Sequence, residues 1–370
     1  MVRPSQTRDG IDPIVSERIA MMRMPLIIGV VFVHSPWWVI NTLGDLPPSV
    51  ELCIALMYSI MPRSAVSLFT FISGYLYFHG AYSRVPDFSR KNMVRVRTLL
   101  VPYVIWNPVV LVAALAAFTL WGTGELYWSM LPHDLPAFID YVYGLSCAPA
   151  AEHFWFVRNV FALCLLGPVI YKIISGRYGV LYCVACALSW LLVTAATGRV
   201  GQLGLAETIL YSIVFFSFGG LCAVQRVDMR MCDSGWVYYT ALWIVLGVVL
   251  WWGYGMNVEG FSSPLGRGIR LVGCVAVWTL FSRLHSYRKL VGFLVGLSFL
   301  SFFVFAAHYQ CAQFVSKLFI DYYGVTGTGA VLSVLAATPF IVVCVVMTGG
   351  LLLRKYLKPV FLVLGGQRSA

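Results

Sequence analysis

The chain has 370 residues, of which 60% are hydrophobic and only 11% charged, and its mean hydropathy is +0.82. A water-soluble domain carries roughly a quarter charged residues, so the composition excludes one and points to membrane-spanning helices. An outer-membrane barrel is excluded too, because its ~10-residue segments of alternating hydrophobicity are absent and most apolar runs reach the ~20 residues of a spanning helix.

In chain order, a polar tail over residues 1–20 holds Asp9, Asp12 and Glu17. It lacks the cationic start and short cleavable apolar core of a secretory signal, so the first span is expected to act as the insertion signal. Spans are expected at 24–44, 53–79, 98–121, 154–175, 178–197, 204–224, 236–254, 268–285, 291–314 and 328–352. The reading is an all-α, polytopic transmembrane bundle of about ten helices, with one domain over 21–355, a C-terminal tail over 356–370 and both termini cytoplasmic.

The net charge of +11 invites a nucleic-acid partner, but the distribution argues against one. With the N-terminus inside, 20 of the 26 Lys and Arg residues fall in cytoplasmic segments. Arg63, Arg158, Arg199, Arg267, Arg270 and Lys317 are the remainder. That asymmetry is the positive-inside pattern, so the charge reports topology and contact with membrane lipids.

An ionisable residue inside a membrane is expensive and is a functional candidate by default. Span 1 carries His34, and Arg23 stands at its cytoplasmic edge, eleven residues earlier. At 100° per residue they share a helix face, about 16 Å apart along the axis. Arg23 is placed at the cytoplasmic mouth and His34 near mid-membrane. Span 2 carries Arg63, and the loop after it is the most basic stretch, with Arg84, Arg90, Lys91, Arg95 and Arg97. That loop suits either topology and anionic lipid contact or a phosphate-binding mouth beside Arg23.

Arg158 lies near the outer end of span 4, Glu207 at the start of span 6 as an interfacial residue, and His308 in span 9. His79, His133 and His285 are expected to be solvated. Ten cysteines are scattered singly. Cys183 and Cys186 form a lone CxxC inside an apolar run and are read as packing residues. No Ser/His/Asp triad, GxSxG elbow, HExxH, P-loop or intramembrane carboxylate pair occurs, so hydrolase and metal chemistry lack their groups and no metal is expected. A histidine near its ordinary pKa can take and return a proton, and clustered cations point to a phosphate-bearing cosubstrate.

Several segments together resemble the acyltransferase-3 family of integral membrane O-acyltransferases. The first runs from Ser16-Glu-Arg-Ile-Ala to His34 and has an Arg-x10-His arrangement. The second is Arg63 through Ser73-Gly-Tyr-Leu-Tyr77, followed by Arg95-Val-Arg-Thr-Leu-Leu-Val-Pro-Tyr103. The others are His153-Phe-Trp-Phe-Val-Arg-Asn159 and Leu297-Ser-Phe through His308. Order and coverage, from about residue 16 to 352, make the combination specific. Two departures stand out: Ser67 replaces a common proline, and Arg95-x-Arg97 is one residue tighter than the usual pair.

The resemblance implies an acyl donor such as acetyl-CoA on the cytoplasmic side and a carbohydrate acceptor such as O-antigen of lipopolysaccharide, an exopolysaccharide or a lipid-linked sugar. It also implies a bacterial inner-membrane location. Some members carry a hydrolase-like C-terminal domain; none is expected here, so the membrane domain completes the transfer alone or with a partner. On this reading Arg23, Arg90, Lys91, Arg95 and Arg97 hold the phosphates and His34 is the base. Arg63 stabilises the oxyanion with Ser73 as second choice, while His153, Trp155 and Arg158 bind the glycan and His308 forms a second polar wall. A larger acyl group such as succinyl and self-association of the chain are left open. The alternative is a transporter of a lipid-linked sugar or small anion, against which counts the lack of self-similarity between the two halves.

Overall fold

Backbone N–H and C=O groups find no water inside a bilayer, so a spanning segment must bond them internally. The computed structural model describes residues 10–34, 47–60, 62–81, 85–120, 131–146, 148–192, 205–255, 263–323 and 328–366, and every regular element among them is helical. The elements are α1 (Pro13–His34), α2 (Pro48–Ile54), α3 (Arg63–Phe78), α4 (Phe88–Arg95), α5 (Val101–Leu120) and α6 (Leu135–Tyr143). Then come α7 (Trp155–Leu165), α8 (Gly167–Ile174), α9 (Gly179–Leu192), α10 (Leu205–Val224) and α11 (Trp236–Tyr254). The last are α12 (Pro264–Leu284), α13 (Arg288–Leu297), α14 (Ser301–Tyr323), α15 (Thr328–Tyr356) and α16 (Lys358–Leu364).

Among the described residues six helices are long and apolar enough to cross a membrane, and a bent pair, taken as one span, makes a seventh. Their number and apolar length make this a multi-pass helical membrane protein. The other expected spans correspond to α1, α3 and α9, which have less apolar length among the described residues.

Prolines account for two differences from expectation. The span expected over 53–79 is interrupted before α3, where Pro62 lacks the N–H that would continue the ladder. The span expected over 154–175 bends by 68° between Leu165 and Gly167, next to Pro168. A third difference concerns α1, which begins at Pro13, so the end of the expected tail is already helical. His34 is the last described residue of α1, and residues 35–44 of that expected span lie outside the described residues.

The start of α1 is tied to other helix ends on one face of the bundle. Arg18, only 1% exposed, makes a two-pronged bond to Asp233 at 2.6 and 2.8 Å. Glu17 pairs with Arg288 at 2.8 Å and with His285 at 3.0 Å. The starts of α1 and α13 thus share a face with the turn before α11, and α3 runs back toward it. Glycines set the closest crossing. A Cβ on Gly74 of α3 would lie 2.0 Å from the Phe216 carbonyl oxygen, and one on Gly219 of α10 2.0 Å from that of Phe71. Small residues let helix backbones touch in a membrane, and this contact holds α3 against α10.

Candidate active site

The basic end is built from two helical faces. Ile19, Arg23 and Leu26 of α1 recur at helical spacing and meet Phe69, Ile72, Ser73 and Leu76 of α3; with Arg95 they line a cavity of about 170 Å³. Leu76 and Arg95 also belong to a larger neighbouring cavity of about 460 Å³, where Arg90 and Lys91 add two more cations. Asp87 caps α4 by accepting from the Arg90 amide at 3.0 Å, which starts the helix so that Lys91 and Arg95, four residues apart, face inward together.

Lys91 donates to the Tyr77 carbonyl at the end of α3, where a cation suits the exposed helix carbonyls. The Tyr77 hydroxyl lies 2.8 Å from both Asn92 Oδ1 and the Cys164 carbonyl, locking α3, α4 and α7 together. Arg97 is exposed and lines neither cavity. Two residues beyond Arg95, it projects to a different side of the chain.

At the other end of α1, three imidazoles gather. Ring centroids lie 5.4 Å apart for His34 and His308, 5.0 Å for His153 and His308, and 6.4 Å for His34 and His153. Backbone carbonyls orient two of them. His308 Nδ1 is 2.6 Å from the Phe305 carbonyl and His153 Nε2 is 3.2 Å from that of Ala306. A carbonyl only accepts, so those nitrogens carry the protons of the neutral rings, and the opposite nitrogens present lone pairs. These opposite atoms, His153 Nδ1 and His308 Nε2, are buried and make no hydrogen bond among the described residues. Although three histidines meet, no group of three or more His, Cys, Asp or Glu among the described residues is arranged to hold a metal ion.

Arg63 begins α3 and acts electrostatically on His34. It also shares an electrostatic neighbourhood with Arg270 and Tyr211. Ser73 sits ten residues further along α3, about 15 Å of helix away. It lines the cavity of Arg23 and Arg95 instead of standing second to Arg63 at the oxyanion.

The expected acceptor trio of His153, Trp155 and Arg158 is dispersed. His153 is 3% exposed and points inward to His34 and His308. Trp155 packs edge-on against Tyr211 at 5.7 Å. Arg158 donates to the Gly144 carbonyl and to Asn159 Oδ1, pinning the loop before α7. That loop explains the divergence. Gly144 ends α6 at φ +58°, a left-handed conformation that glycine tolerates best. Asn107, buried in α5, accepts from the Ala151 amide at 3.1 Å. The chain then makes a 3-10 turn over Glu152–Phe154, whose successive side chains point about 120° apart. His153 turns in while Glu152 stays exposed.

One residue that the sequence reading does not single out, Tyr309, completes the surroundings. The Tyr309 ring lies 5.1 Å from His34 and stacks on His153 at 5.3 Å and 24°, while its hydroxyl donates to Glu152 at 3.0 Å. The signal for it in the sequence is its adjacency to His308. Glu207, expected at an interface, pairs at 2.7 Å with fully buried Arg267, which also donates to the Trp190 carbonyl. Ser67, where a proline is common in the family, shares a 2.7 Å bond with the Tyr211 hydroxyl.

Comparison with known proteins places this arrangement. A family model described as an acyltransferase domain matches residues 17–350. The chain is 27% identical over 369 residues to the succinoglycan biosynthesis protein ExoH of Rhizobium meliloti (strain 1021), covering 97% of this chain and 94% of that protein. No solved structure matches.

Proposed function

We propose, for a chain that belongs to the acyltransferase-domain family, that it moves an acyl group, in the first instance acetyl, from cytoplasmic acyl-CoA to a hydroxyl of a cell-surface or lipid-linked carbohydrate. The proposed location is a bacterial inner membrane. The observation that carries this reading is a single helix, α1, that joins the cation-lined cavity at Arg23 to the imidazole cluster at His34. The relative named for succinoglycan biosynthesis supports a polysaccharide acceptor.

Coenzyme A bears its phosphates at one end and its thioester at the other, on an extended arm. Arg90, Lys91 and Arg95 around the larger cavity suit the phosphate end, since charge-assisted bonds to phosphate are strong. Lys91 uses donors on the Tyr77 and His79 carbonyls and retains a third, because an ammonium has three. The arm then follows α1 past Arg23 and Ser73. Holding donor and acceptor in reacting geometry supplies several kcal/mol of the barrier, up to ~7–11 in ideal cases.

His34 takes the proton of the acceptor hydroxyl as its oxygen bonds the thioester carbonyl carbon. The carbon–sulfur bond then breaks, and the imidazolium returns the proton to the departing thiolate. Arg63, as the cation acting on His34, is positioned by charge to stabilise the oxyanion between those steps. His153 and His308 offer fixed lone pairs that accept from neighbouring hydroxyls of the acceptor and so orient the attacking one.

His34→Ala tests the reading. The variant is expected to fold and bind labelled acetyl-CoA but to lose transfer by roughly 10²–10⁴ in rate. A folded His34→Ala protein that acylates surface glycan at the original rate overturns it. Mass spectrometry of surface glycans from cells with and without the gene identifies the acyl group and its position.

A further inference from the structure

Beside the imidazole cluster, at the end of α1 away from the basic cavities, lies a polar group that the transfer step does not use. Glu152 is exposed at the 3-10 turn. Its carboxylate accepts the Tyr309 hydroxyl at 3.0 Å. Gln313, one turn further along α14, also hydrogen-bonds that side chain. The same Tyr309 ring touches His34 and stacks on His153. A single phenol thus connects an accessible carboxylate and amide to the centre of the imidazole cluster.

We infer that Glu152, Tyr309 and Gln313 form the acceptor subsite, which takes a neutral sugar unit through its hydroxyls; the inference rests on the acyl-transfer reading above. Three observations carry it. First, the groups match the ligand: a carboxylate accepts from up to four sites and an amide both donates and accepts, which suits neighbouring sugar hydroxyls. Second, the spacing matches the reaction. The phenol that bonds Glu152 lies 5.1 Å, ring to ring, from His34, so a sugar held at Glu152 adjoins the proposed base. Third, the charge selects. A carboxylate at this position repels an anionic sugar unit, while the cations of the donor cavities lie at the far end of α1.

This assignment replaces Trp155 and Arg158 as glycan contacts, since both are committed to protein neighbours. Glu152 follows the loop pinned through Asn107, and Gln313 stands on α14.

The test uses the full chain in nanodiscs with labelled acetyl-CoA and surface polysaccharide extracted from cells lacking the gene. Glu152→Gln keeps the shape and removes the charge; Tyr309→Phe keeps the ring contacts and removes the hydroxyl. Glu152→Gln is expected to raise the polysaccharide KM roughly tenfold, the loss of one charge-assisted bond, and to leave the acetyl-CoA KM unchanged. Tyr309→Phe should raise the same KM by a smaller factor. Binding of the same polysaccharide to His34→Ala protein, with and without Glu152→Gln, separates the two readings. If binding weakens with Glu152→Gln while wild-type protein transfers no acyl group, the subsite stands and the transfer reading falls. If binding and polysaccharide KM are both indifferent to Glu152→Gln while transfer persists, the subsite is overturned. A rise in acetyl-CoA KM instead also overturns it, and so does a wild-type protein that neither binds nor acylates the polysaccharide.

Discussion

The two ends of α1 solve opposite problems with opposite chemistry. Around Arg23 the side chains are long, cationic and partly exposed, and they line about 460 and 170 Å³ of cavity. Around His34 the groups are rings within 6.4 Å of one another, two of them anchored on backbone carbonyls. The first end can hold a highly charged group without strict geometry, because Coulomb attraction falls off slowly and is non-directional. The second must aim a lone pair, which only a tautomer-fixed, packed ring does reliably. The difference predicts that substitutions at the two ends are kinetically separable.

The largest effect expected beyond His34 itself is at the ring end. His308→Ala should lower kcat by about a hundredfold with the acetyl-CoA KM unchanged, the signature of a group acting in the transition state. His153→Ala should do the same by a similar factor. Steady-state kinetics in nanodiscs, with thermal unfolding to certify folding, measures both. A raised donor KM with normal kcat in either variant would break the distinction between the two ends.

Much of the helical architecture and the Arg23–His34 axis is legible in the amino-acid sequence alone, because both are local. Apolar length marks spans, and two residues eleven apart share a helix face whatever surrounds them. What is not legible depends on chain turns. His153 reads as a surface residue when span 4 is drawn as one straight helix, and only the 3-10 turn at Glu152–Phe154 sends it inward. Arg158 reads as a free cation until Gly144, fourteen residues earlier, is seen to offer it a carbonyl. Ser73 reads as a second choice to Arg63 at the oxyanion, yet it lines the cavity of Arg23 and Arg95, about 15 Å of helix away. Tyr309 escapes notice because a tyrosine in an apolar helix ordinarily packs, and its bond to Glu152 spans 157 residues.

At the mouth, the effects should be intermediate and confined to the donor. Arg95→Ala removes the one cation common to both cavities and is expected to raise the acetyl-CoA KM about tenfold, the cost of one charge-assisted phosphate contact. Arg97→Ala should change it by less than about twofold, since surface charges away from a site contribute little. Raising the salt from about 0.05 to about 0.5 M should increase the wild-type donor KM, by screening, and increase it less for Arg95→Ala. Equal effects of Arg95→Ala and Arg97→Ala would show that the basic stretch acts as a diffuse field instead of a lined cavity.

The smallest effect sharpens the ring end from outside the membrane. Asp140 accepts from the Ser146 amide at 2.7 Å and from its hydroxyl, closing the turn that Arg158 pins and that leads to Glu152 and His153. Those hydrogen bonds from Ser146 hold the Asp140 carboxyl below its usual range, with Arg158 adding to the shift. A depressed folded-state pKa means that the contribution is present above the unfolded value, about pH 3.9, and is lost as pH falls through the folded value. Asp140→Asn should therefore lower the thermal midpoint slightly at about pH 7, and the gap to wild type should close below about pH 4. Because the turn leads to both Glu152 and His153, kcat should fall and the polysaccharide KM rise modestly, with the acetyl-CoA KM intact. A gap that persists unchanged at about pH 3 would show that Asp140 stabilises the loop by packing and not through its charge.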